Sequence, residues 1–186
     1  MSTRVNIHLE PCKGLQEALL LLNNRIVQDA GLDGVRFIDH KPHLTVLMFN
    51  VDSSDQNKDR FRECALEASL CCPCQLTGLQ SYVDHGFLMI NVDFSPSIQQ
   101  VCKVVWDKCN QMLHPWDAWR VEVDQYEPHI TVAVAETDAQ LQRADVDLAT
   151  SYIDVFCKEC PADILICDRV DVSVVGAHGT VSATLL

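Results

Sequence analysis

The chain has 186 residues, of which 48% are apolar, and a formal net charge of −12 at pH 7. This length fits one domain or two small fused lobes, and the apolar content suffices for a sizeable core, which excludes a disordered chain. The negative charge opposes sequence-independent binding of a long nucleic-acid duplex, because such binding needs many Lys and Arg contacts to the phosphates. The longest apolar run is too short to cross a bilayer, and the N-terminus lacks a secretion pattern. We therefore expect an intracellular, cytoplasmic monomer that contacts no membrane and keeps its ten cysteines mostly reduced.

The first half of the chain predicts alternating strands and helices. Val5, Ile7 and Leu9 alternate with polar residues as in a half-buried strand, and Pro11 ends the pattern. A helix follows, which ends at Gly31 and Gly34 and has the apolar positions Leu15, Ala18, Leu19, Leu22 and Ile26. The next elements are a buried strand from Leu44 to Phe49 and a helix with the apolar face Phe61, Cys64, Ala65 and Ala68. Two strand-like runs complete this half, Cys74 to Val83 and Phe87 to Phe94.

The second half repeats this order. Asn91 to Pro96 echoes Asn6 to Pro11, which pairs His8 with Asp93 in the repeat. We therefore expect one α+β domain over 1–186, with repeats at approximately 1–86 and 87–186 related by a pseudo-two-fold axis. The first predicted helix of this half has the apolar positions Ile98, Val101, Cys102, Val105, Cys109 and Met112, and a strand from Ile130 to Ala135 follows it. The second predicted helix has the apolar positions Leu141, Ala144, Leu148 and Val155. Two closing strands are predicted, from Ile164 to Val175 and from Thr180 to Leu186.

One five-residue phrase occurs twice, as Pro42 to Val46 and as Pro128 to Val132. Each copy contains His-x-Thr between a proline and an aliphatic residue. A bare His-x-Thr is expected by chance only ~0.3 times in a chain of this composition, and two copies with matching flanks are far rarer. The repeat therefore indicates a duplicated site.

The residue types in this phrase suit phosphodiester cleavage. Residues two apart in a strand share a face, so His43 projects with Thr45, and His129 with Thr131. A neutral imidazole can take a proton from the attacking hydroxyl while a protonated imidazole gives one to the leaving oxygen. The threonine hydroxyls can donate to the phosphate oxygens, and the scheme needs no metal and no cofactor. The alternative is packing of buried histidines beside β-forming threonines, which does not explain matching pairs in both halves.

The paired motifs resemble the signature of the two-histidine phosphoesterase superfamily, which includes RNA 2′,5′-ligase-like and cyclic nucleotide phosphodiesterase proteins. The chain is also similar in length, motif separation and strand-helix order. The resemblance implies a bilobal fold with an antiparallel sheet in each lobe, helices outside, and a central cleft that holds both His-Thr pairs.

The resemblance further implies metal-independent hydrolysis of a 2′,3′-cyclic phosphate, an ADP-ribose cyclic phosphate or a 2′,5′ linkage in a nucleotide or short RNA. It implies that His129 activates water and His43 protonates the leaving oxygen, with the roles exchanged for ligation. Two alternatives stay open: an RNA 2′,5′-ligase, and a module that binds a nucleotide or RNA end without turnover.

Family members commonly add an aromatic side chain that stacks on a base and a cation beside the phosphate. Core packing and a solvated surface are the alternatives for such residues. Since the repeat partner of His8 is Asp93, the repeat gives no reason to add His8 to the site. The substrate-binding candidates are the aromatics Tyr126 and Phe37 and the cations Arg36, Lys41 and Arg120.

Two Cys-x-x-Cys pairs, Cys71 with Cys74 and Cys157 with Cys160, lie at the same offset from the two motif histidines. This spacing is used in zinc sites. A small apolar filler at a junction of helix and strand is the simpler explanation, because two-fold partners meet only near the axis. We expect no metal site there. A chain organised around these cysteines, with a vestigial cleft, is the alternative.

Overall fold

The computed structural model describes residues 2–32, 41–52, 55–84, 86–112, 126–135, 144–175 and 181–184. Within these ranges it has an antiparallel sheet and flanking helices, which confirms the predicted α+β class. The helices are α1 (Lys13–Ala30), α2 (Asp55–Ser69), α3 (Pro96–Met112) and α4 (Val146–Glu159), and the strands are β1 (Ser2–Pro11), β2 (Leu44–Asp52), β3 (Cys74–Gln75), β4 (Gln80–Asp84), β5 (Phe87–Asn91), β6 (His129–Val134), β7 (Ile166–Val175) and β8 (Val181–Thr184).

Local sequence signals account for several element ends. Gly31 follows α1 with φ 71°, a left-handed conformation that glycine adopts without strain. Asp145 caps the N-terminus of α4, and its carboxylate accepts a hydrogen bond of 2.9 Å from the Leu148 amide. No helix in the described ranges has both the length and the apolar character needed to span a bilayer.

The predicted run from Cys74 to Val83 is two strands rather than one. Between β3 and β4, Gly78 has φ 62°, and a Cβ at this position would overlap the Asp93 carboxylate. The chain therefore turns at Gly78, and only a residue without a side chain fits there.

The sheet has the strand order β3-β7-β1-β2-β6-β5-β4, with β8 also paired to β7, and all pairings are antiparallel. Its two halves meet where β2 pairs with β6, through the residues Leu44 and Ile130. These two residues occupy equivalent positions in the duplicated phrase, immediately after His43 and His129. The pseudo-two-fold axis therefore passes between the two copies of the phrase.

Each half of the sheet receives at least one strand from the other half of the chain, and β8 joins the first half by pairing with β7. β4 follows α2 in sequence but pairs with β5, while β7 follows α4 but pairs with β1. The chain thus crosses between the halves of the sheet twice, which ties them into one body.

The strand registers correct the repeat alignment. β1 pairs with β2 through Leu9 and Leu44, and β5 pairs with β6 through Ile90 and Ile130. Both ladders also shift register just before this point, between Ile7 and His8 and between Leu88 and Met89. The structural equivalent of His8 is therefore Met89. The pairing of His8 with Asp93 is wrong, because Asp93 lies beyond the end of β5.

The sheet has an apolar face and a polar face. In β1, Val5, Ile7 and Leu9 are buried in the core, while the alternating residues Asn6, His8 and Glu10 belong to the opposite face. The helices bury their apolar stripes against the first face in one continuous cluster. That cluster includes Leu15, Leu19, Leu22 and Ile26 of α1, Phe61, Cys64, Ala65 and Ala68 of α2, Ile98, Val101, Cys102, Val105 and Cys109 of α3, and Ala149 and Ile153 of α4. The opposite, polar face of the sheet is therefore where we expect a functional site.

Candidate active site

The two His-Thr pairs lie together on the polar face at the centre of the sheet. The Leu44 to Ile130 ladder pair joins the residues that directly follow His43 and His129. Leu44 and Ile130 are buried in the core, so the flanking histidines and threonines project to the other face. The folded chain therefore brings both copies of the motif to one place.

Both histidines are oriented by the same backbone hydrogen bond. Nδ1 of His43 donates to the Lys41 carbonyl at 2.9 Å, and Nδ1 of His129 donates to the Glu127 carbonyl at 3.0 Å. A carbonyl oxygen only accepts, so each Nδ1 carries a proton. In a neutral ring this leaves Nε2 as the atom that accepts a proton. The duplicated geometry thus prepares two equivalent nitrogen atoms for proton transfer.

The two rings differ in their surroundings. His43 is 9% exposed, whereas His129 is only partly buried. Burial lowers the pKa of His43 from 6.5 to about 3, because a buried imidazolium loses its hydration. The charge on His8 lowers the pKa further and His129 adds a smaller effect, while the hydrogen bond to Lys41 opposes them. His43 is therefore neutral at pH 7.

Two residues of β1 belong to the site although the sequence analysis did not place them there. Asn6 donates through Nδ2 to His43 Nε2 at 3.1 Å and to Thr45 Oγ1 at 3.0 Å. The ring of His8 meets the ring of His43 edge-on, with their centroids 5.0 Å apart. In the sheet His8 lies between Thr45 on one side and Asp171 on the other. Strand alternation was the available signal, because it puts both residues on the face opposite the core.

The other half of the site has apolar neighbours. Thr131 is the cross-strand partner of Met89, which is the partner of Tyr82 on the outermost strand. Direct cross-strand partners share a face of the sheet, so these side chains line the polar face beside Thr131. Tyr82 is 41% exposed, so its ring is accessible to a ligand.

Lys41 belongs to an ion cluster rather than standing alone. Its Nζ lies 3.8 Å from the nearly buried Glu10 carboxylate, which also accepts hydrogen bonds from Arg169 Nε and Nη2 at 2.8 and 2.7 Å. Both cations remain largely exposed. The cluster carries a net positive charge at the edge of the site next to His43, and contact with a substrate phosphate stays a prediction.

Tyr126 makes internal contacts. Its ring packs edge-on against Phe94 and Trp106, and its hydroxyl donates to the Thr45 carbonyl at 2.5 Å. Burial raises the pKa of Tyr126 well above its usual value, so the phenol remains a donor. These contacts anchor β2 below the site, and base stacking by Tyr126 stays a prediction. The other substrate-binding candidates, Phe37, Arg36 and Arg120, lie outside the described residues.

The Cys-x-x-Cys residues are free thiols at the ends of helices and strands. Cys74 is buried in β3 opposite Cys167, whereas Cys157 and Cys160 lie at the end of α4. Burial raises the pKa of Cys157 to about 11 and also raises that of Cys160, so both are neutral thiols at pH 7. In the described part of the chain, no group of three or more His, Cys, Asp or Glu residues is arranged to hold a metal ion.

Comparisons with known proteins identify the family. The model of the 2′-5′ RNA ligase superfamily matches residues 14–158, which is more than half of the chain. The chain therefore belongs to this superfamily, and the resemblance to two-histidine phosphoesterases is confirmed. No curated protein matches the sequence.

Two solved structures share the fold. One is the PDE domain of MHV ns2, with a TM-score of 0.52 and 12% identity over 73% of this chain and 86% of that one. The other is Usb1 of Kluyveromyces marxianus, with a TM-score of 0.50 and 16% identity over 98% of this chain and 97% of that one. At these identities the likeness concerns the fold, and it agrees with the predicted architecture.

Proposed function

We propose that this protein is a metal-independent phosphodiesterase that hydrolyses a cyclic phosphate or a 2′,5′ linkage in a nucleotide or short RNA. The observation that carries the proposal is the meeting of the two His-Thr pairs on one face at the Leu44 to Ile130 contact. Each histidine is held by the same Nδ1 hydrogen bond, so both Nε2 atoms can take part in proton transfer.

The environments of the histidines favour one division of roles. Neutral His43 accepts the proton of the attacking water through Nε2 while the water oxygen bonds to phosphorus. His129 gives a proton to the leaving oxygen as its bond to phosphorus breaks. Thr45 and Thr131 donate hydrogen bonds to the non-bridging oxygens, whose charge grows in the transition state. This assignment reverses the roles implied by the family resemblance, because burial keeps His43 in the neutral form, in which Nε2 can accept a proton.

The second half of the site fits a nucleoside. Tyr82 and Met89 form an apolar surface beside Thr131, and base stacking on such a surface contributes about 1–3 kcal/mol. Since the chain has a net charge of −12, a small nucleotide or a short RNA end suits it better than a long duplex.

The test is product analysis with EDTA present. The panel contains 2′,3′-cyclic nucleotides, ADP-ribose cyclic phosphate, and 2′,5′- and 3′,5′-linked oligonucleotides. We expect multiple turnover on one class, lost in His129→Ala and reduced in Thr131→Ala. The matched control is Thr150→Ala, whose hydroxyl bonds within α4 to the Val146 carbonyl, and it should keep full activity.

Other outcomes separate the alternatives. Joining of a 2′,3′-cyclic end to a 5′-hydroxyl end, without net hydrolysis, would identify a ligase. Saturable binding with no turnover on any substrate would identify a binding module and contradict the proposal.

A further inference from the structure

The side chain of Asn6 links the histidine and the threonine of the first motif. It is fully buried, and it donates to both His43 Nε2 and Thr45 Oγ1. An amide nitrogen carries two hydrogens, so one atom serves both acceptors. Phe87 occupies the equivalent place on β5, so the second motif has no such amide there.

The protonation of His43 fixes which way this amide points. Because Nδ1 holds the proton that bonds to Lys41, Nε2 of the neutral ring is an acceptor and requires the NH₂ group of Asn6. In the described part of the chain, Oδ1 of Asn6 is buried without a hydrogen-bond partner. The amide thus leaves its oxygen unsatisfied while it donates through its nitrogen. The reversed amide would place Oδ1 against the lone pair of Nε2, where two acceptors repel each other.

The same orientation affects Thr45. Its Oγ1 accepts from Asn6, which leaves the hydroxyl hydrogen for another acceptor, such as a phosphate oxygen. Nε2 of His43 has a single lone pair, so the attacking water must replace the amide there. The bond to Thr45 can persist during that exchange.

We propose that Asn6 is a positioning residue, which holds His43 in its neutral, proton-accepting form and directs the hydroxyl hydrogen of Thr45 toward the substrate. This inference rests on the proposed function. Among the described residues, His8 of β1, His129 of β6 and the Lys41 backbone act on His43 directly, while Glu10 and Arg169 are linked to Lys41 through ion pairs and Asp171 of β7 lies opposite His8. All of them are retained in the variants below.

The test is Asn6→Asp, with the His43 imidazole titrated by NMR in ¹⁵N-labelled protein. A carboxylate at this position favours a protonated Nε2, so we expect the pKa of His43 to rise by about one to three pH units. The acidic limb of kcat/KM should move upward by the same amount. Asn6→Ala removes the donor without adding a charge, and a smaller rise is expected.

The matched control is Asn23→Asp. Asn23 is also a buried amide, but it donates from α1 to the Val132 carbonyl on the core side of β6. Its replacement should lower stability and leave the titration of His43 unchanged. A folded Asn6→Asp protein whose His43 titrates as in the wild type would overturn the proposal. If that variant does not fold, an unchanged titration in Asn6→Ala has the same meaning.

The NMR titration needs no substrate, so the two proposals fail separately. A raised pKa without turnover on any substrate would retain the role of Asn6 and contradict the enzyme. Turnover that depends on His129, with an unchanged His43 titration in both Asn6 variants, would support the enzyme and contradict the role of Asn6.

Discussion

The buried imidazole of His43 makes stability depend on pH, and His43→Gln should remove that dependence. The pKa of this group falls from 6.5 in the unfolded chain to about 3 in the folded protein. Below about pH 6.5 the unfolded chain therefore binds a proton that the folded protein does not, and stability declines as the pH falls toward 3. Between about pH 7.5 and pH 5 the loss is about 2 kcal/mol, and any folded pKa below about 4 gives nearly the same value.

The assay is urea denaturation at constant ionic strength at both pH values. Wild type should lose about 2 kcal/mol more than His43→Gln over this interval. His129→Gln is the matched control, because it replaces the equivalent histidine of the second motif, whose ring is partly exposed. Equal losses in wild type and His43→Gln would refute the reasoning that burial keeps His43 neutral.

Three further substitutions test neighbouring contacts. Tyr126→Phe removes the hydrogen bond to the Thr45 carbonyl and should cost about 1 kcal/mol in urea denaturation, and no change would show that this bond is not stabilising. Tyr82→Ala should raise KM several-fold with little change in kcat, whereas Val83→Ala, on the opposite face of β4, should leave both constants unchanged. Equal changes in KM for the two variants would contradict a stacking role for Tyr82. Glu10→Gln weakens the charge-assisted bonds to Arg169 and should lower the free energy of unfolding by about 1–3 kcal/mol, with a smaller loss at high salt. A loss of stability that does not depend on salt would argue against an ionic origin.

The duplicated phrase was enough to predict that the two His-Thr pairs lie together. Leu44 and Ile130 pair because they hold equivalent places in the two copies, and the pairing brings both His-Thr pairs to one face. The alternation of Val5, Ile7 and Leu9 also predicted the buried face of β1 correctly. These features depend on local periodicity and on repetition, both of which are visible in the sequence.

The remaining parts depend on register, which a single sequence shows poorly. The ladders pair His8 with Thr45 and Met89 with Thr131, so the sequence echo at Asn91 does not align with the structural repeat. His8 was consequently compared with Asp93 instead of Met89. The crossing of β4 and β7 between the halves of the sheet is a non-local choice that no pattern within either repeat indicates.

The roles proposed for the two motif histidines were also beyond a sequence argument. The two phrases are nearly identical, and only the folded surroundings distinguish them. His8 and Asn6 contact His43, while the equivalent positions beside His129 hold Met89 and Phe87. In the proposed mechanism, desolvation and these neighbours favour His43 as the base, and both effects arise from tertiary packing.

The pH dependence of kcat/KM, measured for the wild type, His43→Ala and His129→Ala, tests the central claim most directly. If both histidines transfer protons, each substitution should lower the rate by on the order of 10² to 10⁴. The wild-type profile should be bell-shaped, with the acidic limb absent in His43→Ala and the basic limb absent in His129→Ala. A bell-shaped profile that survives both substitutions, or a loss of rate below about tenfold in either, would contradict acid-base catalysis by this pair.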